Sequence, residues 1–156
     1  LIDMLGVTAS TSTKGIVGSA TSKNLVVERC AFLVDAAQGP CIDFTGSIDS
    51  AMYDCLVNQT AGTYAVGVLT GAGTDTLIIQ DNVFNATTAA AMTAAISGTG
   101  ATIDEGVHFI GNLFAAVARV TVPIDNYTAP TLTTLTNNYV GSVGAGLGGA
   151  LFTLNT

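Results

Sequence analysis

Charge is scarce in this chain. Of its 156 residues 10% are charged, and Lys and Arg together number 4 against 11 Asp and Glu. Proteins that bind nucleic acid neutralise rows of phosphates with cationic side chains, so four bases argue against a nucleic-acid partner. The net charge of −7 at pH 7 is instead interpreted as a balance that keeps the protein in solution.

Long apolar runs are also missing, although 49% of the residues are hydrophobic and the mean hydropathy is +0.56. A helix that spans a bilayer needs about 18 or more consecutive apolar residues. The richest stretches, residues 89–96 and 140–154, are interrupted by Thr, Ser and Gly. We therefore expect no membrane partner, but a folded protein that buries apolar surface with few charges, because the apolar fraction is too high for a disordered chain.

Residues that hold metals or form disulfide scaffolds are few. Three cysteines make an odd and sparse set for this length, and we expect Cys30, Cys41 and Cys55 to be buried free thiols. One His and no Cys-x-x-Cys motif do not build the usual zinc site. The sequence therefore predicts neither a metal nor any other cofactor.

What the sequence does contain is an internal repeat of about 25 residues. Five copies align on an aromatic or large apolar residue, here called the anchor, at Phe32, Val57, Phe84, Phe114 and Tyr139. The spacings between anchors are 25, 27, 30 and 25 residues. Repeats of this length are typical of solenoids, in which each copy buries its apolar face against its neighbours.

Apolar residues recur seven and five positions before the anchor, and this alternation predicts a short strand with both columns facing a core. The first column comprises Leu25, Ser50, Leu77, Val107 and Leu132. The second comprises Val27, Met52, Ile79, Phe109 and Thr134. Two positions before the anchor stand Cys30, Cys55, Asn82, Asn112 and Asn137. Small polar residues at one turn position predict a ladder in which Asn amides bond to the next copy.

A second strand is predicted after each anchor, within residues 41–44, 65–68, 92–96, 119–122 and 150–152. A helix over residues 86–96 is an alternative because of their Ala content, although Thr87, Thr88 and Thr93 disfavour it. Stacking the copies at roughly 4.8 Å would build one continuous core.

The pattern of strand, turn Asn and aromatic, clearest in residues 77–84 (LIIQDNVF), resembles that of the right-handed parallel β-helix. More narrowly, it resembles the short Thr/Ala/Gly-rich β-helical repeats in virion proteins of tailed bacteriophages. The resemblance implies an all-β fold: a right-handed parallel β-helix (solenoid) of about five rungs over residues 24–156, after an N-terminal arm or cap over residues 1–23. It also implies a non-enzymatic structural protein of the virion, a capsid decoration, cement or fibre-like component that forms homotrimers and contacts the capsid or another virion protein.

One outward column of the repeat is largely apolar and comprises Val26, Ala51, Ile78, His108 and Thr133. An exposed apolar stripe marks an interface more often than an active site, so these residues are the predicted subunit contact. The N-terminal arm is a predicted attachment element because it carries Leu1, Ile2, Met4 and Leu5.

Two other functions stay open. A tailspike-type module that binds or cleaves carbohydrate would need paired carboxylates roughly 5–10 Å apart. The repeat places Asp54 and Asp81 on adjacent copies of an outward turn column, with Arg29, Gly111 and Thr136. The favoured interpretation of that column is a solvated turn in which Arg29 pairs with Asp54. The third candidate is a surface-layer or filament protein whose copies stack end to end.

Overall fold

The computed structural model describes residues 16–18, 22–34, 40–59, 62–71, 74–86, 90–98, 106–114, 120–128, 133–140 and 152–155. Within these ranges every regular element is a β-strand, and every strand pairing is parallel. Most of the predicted arm at residues 1–23 lies outside the described residues, including Leu1, Ile2, Met4 and Leu5.

The described strands form three sheets, here called A, B and C. Sheet A contains β1 (Ile16–Val17), β4 (Ile42–Asp43), β7 (Gly62–Thr70), β10 (Ala90–Gly98), β13 (Val120–Thr128) and β16 (Phe152–Asn155). Sheet B contains β2 (Val26–Glu28), β5 (Ile48–Tyr53), β8 (Asp75–Gln80), β11 (Val107–Ile110) and β14 (Thr133–Thr136). Sheet C contains β3 (Ala31–Val34), β6 (Leu56–Gln59), β9 (Val83–Ala86), β12 (Leu113–Phe114) and β15 (Tyr139–Val140).

From β2 onward the chain visits sheets B, C and A in turn, so hydrogen-bonded neighbours are always three strands apart. This in-register parallel stacking is consistent with a parallel β-solenoid. Each copy carries three strands where the repeat predicted two, because the turn before the anchor divides the first predicted strand between sheets B and C. The helix considered for residues 86–96 is wrong, since Ala90–Gly98 is a strand paired with β7 and β13.

The core is built from columns of side chains that repeat from copy to copy. The two predicted columns of sheet B are confirmed in the middle copies, where Leu77, Val107, Met52, Ile79 and Phe109 are fully buried. The anchors form a third column, in which the rings of Phe84 and Phe114 stack with centroids 5.4 Å apart and planes 15° apart. Sheet A closes the core with Ile42, Val68 and Ile96.

The predicted register of the fifth copy is wrong by one residue. Leu113 pairs with Tyr139 and Phe114 with Val140, so Val140 stands in the anchor column and Tyr139 is 68% exposed. All the other positions of that copy are displaced by one residue as well. The pairs are Val107 with Thr133, His108 with Thr134, Phe109 with Leu135 and Ile110 with Thr136. The aromatic ring of Tyr139 suggested an anchor, but in the correct register it lies on the outer face.

The turn between sheets B and C is the same in all five copies. Its first residue has a left-handed backbone, and the five residues are Arg29, Asp54, Asp81, Gly111 and Asn137, with φ between 50° and 65°. Gly, Asn and Asp tolerate this conformation best, which accounts for four of the five. The backbone N–H of each of the first four donates to a carbonyl of the next copy at 2.9–3.3 Å, so the turns join neighbouring copies.

The second turn residue forms the predicted ladder, which the structure confirms for Asn82 and Asn112. Oδ1 of Asn82 accepts from the backbone N–H of Cys55 at 2.9 Å, and its Nδ2 donates to the carbonyl of Met52 at 3.1 Å. Nδ2 of Asn82 also donates to Oδ1 of Asn112 at 3.0 Å. In the fifth copy the ladder residue is Asn138, because Asn137 takes the left-handed position.

Cysteine replaces Asn in the first two copies of the ladder. The thiol of Cys55 accepts from the backbone N–H of Cys30 at 3.5 Å and donates to the carbonyl of Val27 at 3.6 Å. These are the contacts that Asn makes in later copies at 2.8–3.1 Å. Sulfur is a weak donor and acceptor, so the ladder is weakest where the first copy meets the second.

Asn82→Ala is expected to lower the free energy of unfolding by about 2–4 kcal/mol. The substitution leaves the buried Cys55 N–H without an acceptor, which costs about 1–3 kcal/mol, and it also removes the bonds from Nδ2 to Met52 and Asn112. The matched control is Asn85→Ala, which removes one partly buried amide pair with Asn58 and should cost about 1 kcal/mol or less. Urea denaturation followed by circular dichroism measures both. Equal losses would contradict the role of the ladder.

Candidate interaction surface

Four of the five residues predicted as the subunit contact lie in one register column of sheet B. Val26, Ala51, Ile78 and His108 pair in sequence along the sheet. The fifth position is Thr134 and not the predicted Thr133, which pairs with Val107. Nδ1 of His108 lies 3.0 Å from Oγ1 of Thr134, so a hydrogen bond closes this end of the column.

Exposure along this column is uneven. Val26 on the edge strand is 54% exposed and Ile78 and His108 are half-buried, but Ala51 is 5% exposed. Ala51 is the smallest side chain of the column and stands between Val26 and Ile78, which leaves little of it for a partner to contact. The sheet B column therefore offers less apolar surface than the sequence predicted.

A more continuous apolar column lies on the outer face of sheet C, and the sequence analysis missed it. Its residues, here called the C stripe, are Ala31, Leu56, Val83, Leu113 and Tyr139, which pair in register from copy to copy. The first three are half-buried, whereas Leu113 is 37% and Tyr139 is 68% exposed. The signal was an apolar residue directly before every anchor. When Tyr139 is taken as the fifth anchor, Asn138 falls in that column, and the column no longer looks apolar throughout.

The surroundings of the C stripe are polar but largely uncharged. Asn58 and Asn85 lie two residues beyond Leu56 and Val83 on the same face, and Nδ2 of Asn85 donates to Oδ1 of Asn58 at 3.0 Å. Strands β6, β9 and β12 contain no charged residue. In the turn column that precedes the sheet C strands, carboxylates stand only before β6 and β9, at Asp54 and Asp81.

The turn column places Asp54 and Asp81 at equivalent, exposed positions of adjacent copies. Nε2 of Gln80 donates to Oδ2 of Asp81 at 2.8 Å, and the other carboxylate oxygen of Asp81 packs against the backbone of Gly111. Among the described residues the ion pair of Arg29 is with Glu28, at 3.1 Å, and not with Asp54 as predicted. The fifth member of the column is Asn137 and not Thr136. The column is an exposed turn with solvated carboxylates.

The cysteines are buried free thiols, as predicted. Burial raises the pKa of the Cys41 thiol to about 12, against a small lowering by a backbone hydrogen bond. Burial likewise raises the pKa of Cys55 to about 11; the hydrogen bond from the Cys30 backbone acts in the opposite direction, and the charges of Cys30 and Asp54 add to the rise. Both thiols are therefore protonated near neutral pH, and a protonated thiol is a poor nucleophile.

Metal clusters and long apolar helices are both absent from the residues that the structure describes. No group of three or more His, Cys, Asp or Glu side chains in this part of the chain could hold a metal ion. Nor does this part contain a helix long and apolar enough to cross a membrane.

Comparisons with known proteins find no relative. No protein-family model matches the chain, and neither the curated proteins nor the solved structures include one similar to it.

The raised thiol pKa values make stability depend on alkaline pH. Unfolded thiols lose their protons near pH 9, whereas Cys41 keeps its proton in the fold up to about pH 12, so the free energy of unfolding should fall between these values. One such thiol contributes a slope of at most about 1.4 kcal/mol per pH unit. Urea denaturation of the wild type and Cys41→Ala from pH 8 to 11 measures it. The prediction is wrong if the two proteins lose stability in parallel.

Proposed function

We propose that this protein is a structural component of a virion, a capsid decoration, cement or fibre-like protein that assembles as a homotrimer. The observation that carries the proposal is the C stripe, an apolar column that continues through all five copies on the outer face of one sheet. Three parts of the proposal rest on the resemblance of the repeat to those of phage virion proteins. They are the location in a virion, the extracellular nature of that particle and the assembly as a trimer.

The proposal includes a right-handed parallel β-helix of about five rungs. The support is the strand order, in which each set of three consecutive strands from β2 onward adds one strand to every sheet. Crossover connections between parallel strands of one sheet are right-handed in about 98% of cases, because the strand twist packs well only in that sense. In such a helix the C stripe runs parallel to the long axis.

A stripe along the axis suits a side-by-side assembly of identical chains. In a cyclic homotrimer every subunit contributes the same residues, so the C stripes of three subunits can meet around the threefold axis. A net charge of −7 per chain opposes close approach, so a contact surface has to avoid carboxylates. The C stripe meets this condition, because the sheet C strands that carry Leu56, Val83 and Leu113 lack charged residues and the amides of Asn58 and Asn85 flank the first two.

Attachment to the particle is assigned to the arm at residues 1–23. Leu1, Ile2, Met4 and Leu5 give it the apolar side chains with which a short segment can contact the capsid or another virion protein. Its partner in this proposal is protein, with neither nucleic acid nor a membrane involved.

Two observations favour other functions. Asp54 and Asp81 stand exposed on adjacent copies, as a carbohydrate-binding or carbohydrate-cleaving module would require. Leu135, whose counterpart Phe109 is fully buried, is 42% exposed on β14, at one edge of sheet B. An uncovered core position at a sheet edge would suit a filament whose subunits stack end to end. The C stripe has no role in either function, so both rank below side-by-side assembly.

Leu113→Asp should convert the assembled protein to monomers without changing its fold, because the new carboxylate would be desolvated in the contact while Leu113 is already partly exposed in a single chain. The control is Asn137→Asp, which adds the same charge at an exposed turn position where Asp54 and Asp81 already adopt the required backbone. Sedimentation equilibrium measures the mass, and circular dichroism checks the fold. A monomeric wild type, or a trimer that survives Leu113→Asp, refutes this interface, and loss of the trimer in Asn137→Asp as well would show an unspecific effect of the added charge.

A glycan assay separates the proposal from its first alternative. We expect the wild type neither to bind a panel of bacterial surface glycans nor to shorten them. Asp54→Asn and Asp81→Asn should then leave assembly and stability unchanged, since both carboxylates are solvated. Depolymerisation by the wild type that falls about 100-fold or more in either variant would identify a glycan-degrading enzyme instead.

A further inference from the structure

Cys30 and Cys55 occupy the same ladder position in the first two copies. The pairs Glu28 with Tyr53 and Ala31 with Leu56 flank them, so the two cysteines are register neighbours. The backbone N–H of Cys30 donates to Sγ of Cys55 at 3.5 Å, so the Cys55 sulfur lies directly against the backbone of Cys30. Neighbouring strands lie about 4.8 Å apart, within the Cα separation of about 4.4–6.8 Å that a disulfide bridges.

The first copy lies at an edge of two sheets, where a fold opens readily. Its strands β2 and β3 are edge strands of sheets B and C, and edges are among the first parts of a fold to separate. The contacts that hold it through Cys55 are the long sulfur bonds of 3.5 and 3.6 Å.

An access route lies beside this edge. A cavity of about 550 Å³ is lined by Ile16 and by the six consecutive residues from Leu25 to Cys30. Its volume is within the range of small-molecule sites, so a small oxidant can approach Cys30 from this side.

We propose that Cys30 and Cys55 form a redox-sensitive pair that closes to an intramolecular disulfide when the protein meets a low-molecular-weight disulfide such as oxidised glutathione. One cysteine thiolate attacks the glutathione disulfide, forms a mixed disulfide and releases one glutathione thiolate. The second cysteine thiolate then attacks the protein sulfur of the mixed disulfide and releases the second glutathione. The two protons lost by the protein thiols end on the two released glutathiones, and two electrons pass from protein to glutathione.

The pairing is specific to these two thiols. The register pair of Ile42 with Val68 places Gly67 beside Cys41, so no second thiol faces Cys41 across that strand pair. The reaction is slow, because thiolate forms only when the edge opens and lifts the burial that keeps Cys55 protonated. The product joins an edge copy covalently to its neighbour and closes a loop of about 25 residues, which restricts the unfolded chain.

The test incubates the native full-length chain with oxidised glutathione and follows intact mass and peptide maps. We expect the mass to fall by two hydrogens, the Cys30 and Cys55 peptides to be linked, and Cys41 to stay free. The melting temperature should rise on the order of 5 °C relative to the reduced protein. Cys41→Ser should close the same bond, whereas Cys30→Ser and Cys55→Ser should give only glutathione adducts or no product.

Three results overturn the proposal. The first is three free thiols after exposure to a glutathione mixture that oxidises the urea-unfolded chain. The second is a disulfide that involves Cys41 or joins two chains. The third is a Cys30–Cys55 bond that lowers the melting temperature, because the pair would then be a site of damage. Since the readouts are mass and melting temperature, they are independent of whether the protein trimerises.

Discussion

The hydrogen-bonded turn between sheets B and C is the constraint on which the rest of the structure depends. Its first residue must adopt a left-handed backbone, and its second must satisfy buried groups of the copies on both sides. A shift of the ladder by one residue would leave backbone groups unpaired in the core, where each costs about 1–3 kcal/mol. Once this turn is in register, the strands on either side have no freedom to slip. Alternate side chains then face inward in every copy, and the outward ones form continuous columns.

How far the sequence predicts this fold depends on how strongly each position is constrained. The columns of Ile79, Phe109 and Phe84 can be predicted from the sequence because each of these positions is fully buried, and few residue types suit a buried position. The ladder can be predicted at Asn82 and Asn112 because few other side chains both donate and accept hydrogen bonds. The register of the fifth copy is predicted wrongly because Asn137 and Asn138 are each suited to both turn positions, and because Tyr139 is an aromatic residue like the anchors. Only the spatial pairing of Leu113 with Tyr139 separates the two registers.

The surfaces were harder to predict than the core, for the same physical reason. At an exposed position the main requirement on the residue type is that the protein stays soluble, and many residue types meet this requirement. The sheet B column is right in register at Val26, Ala51, Ile78 and His108, but sequence does not show that Ala51 is covered. The C stripe depends on the register of its fifth member, so one misplaced residue was enough to conceal it. The ion pair of Arg29 with Glu28 could not be predicted for a similar reason, because exposed ion pairs contribute little free energy and alternative partners of Arg29 differ little in it.

Because neighbours in every sheet are three strands apart, each set of three consecutive strands is a structural unit of the same kind. The unit that carries Asn82 both donates and accepts the same ladder bonds, so inserting a duplicate of it would break no pairing. Duplication of such a unit would extend all three sheets by one strand each, or about 4.8 Å. Variants of this protein with more or fewer copies should therefore keep the pairings of the copies that they retain.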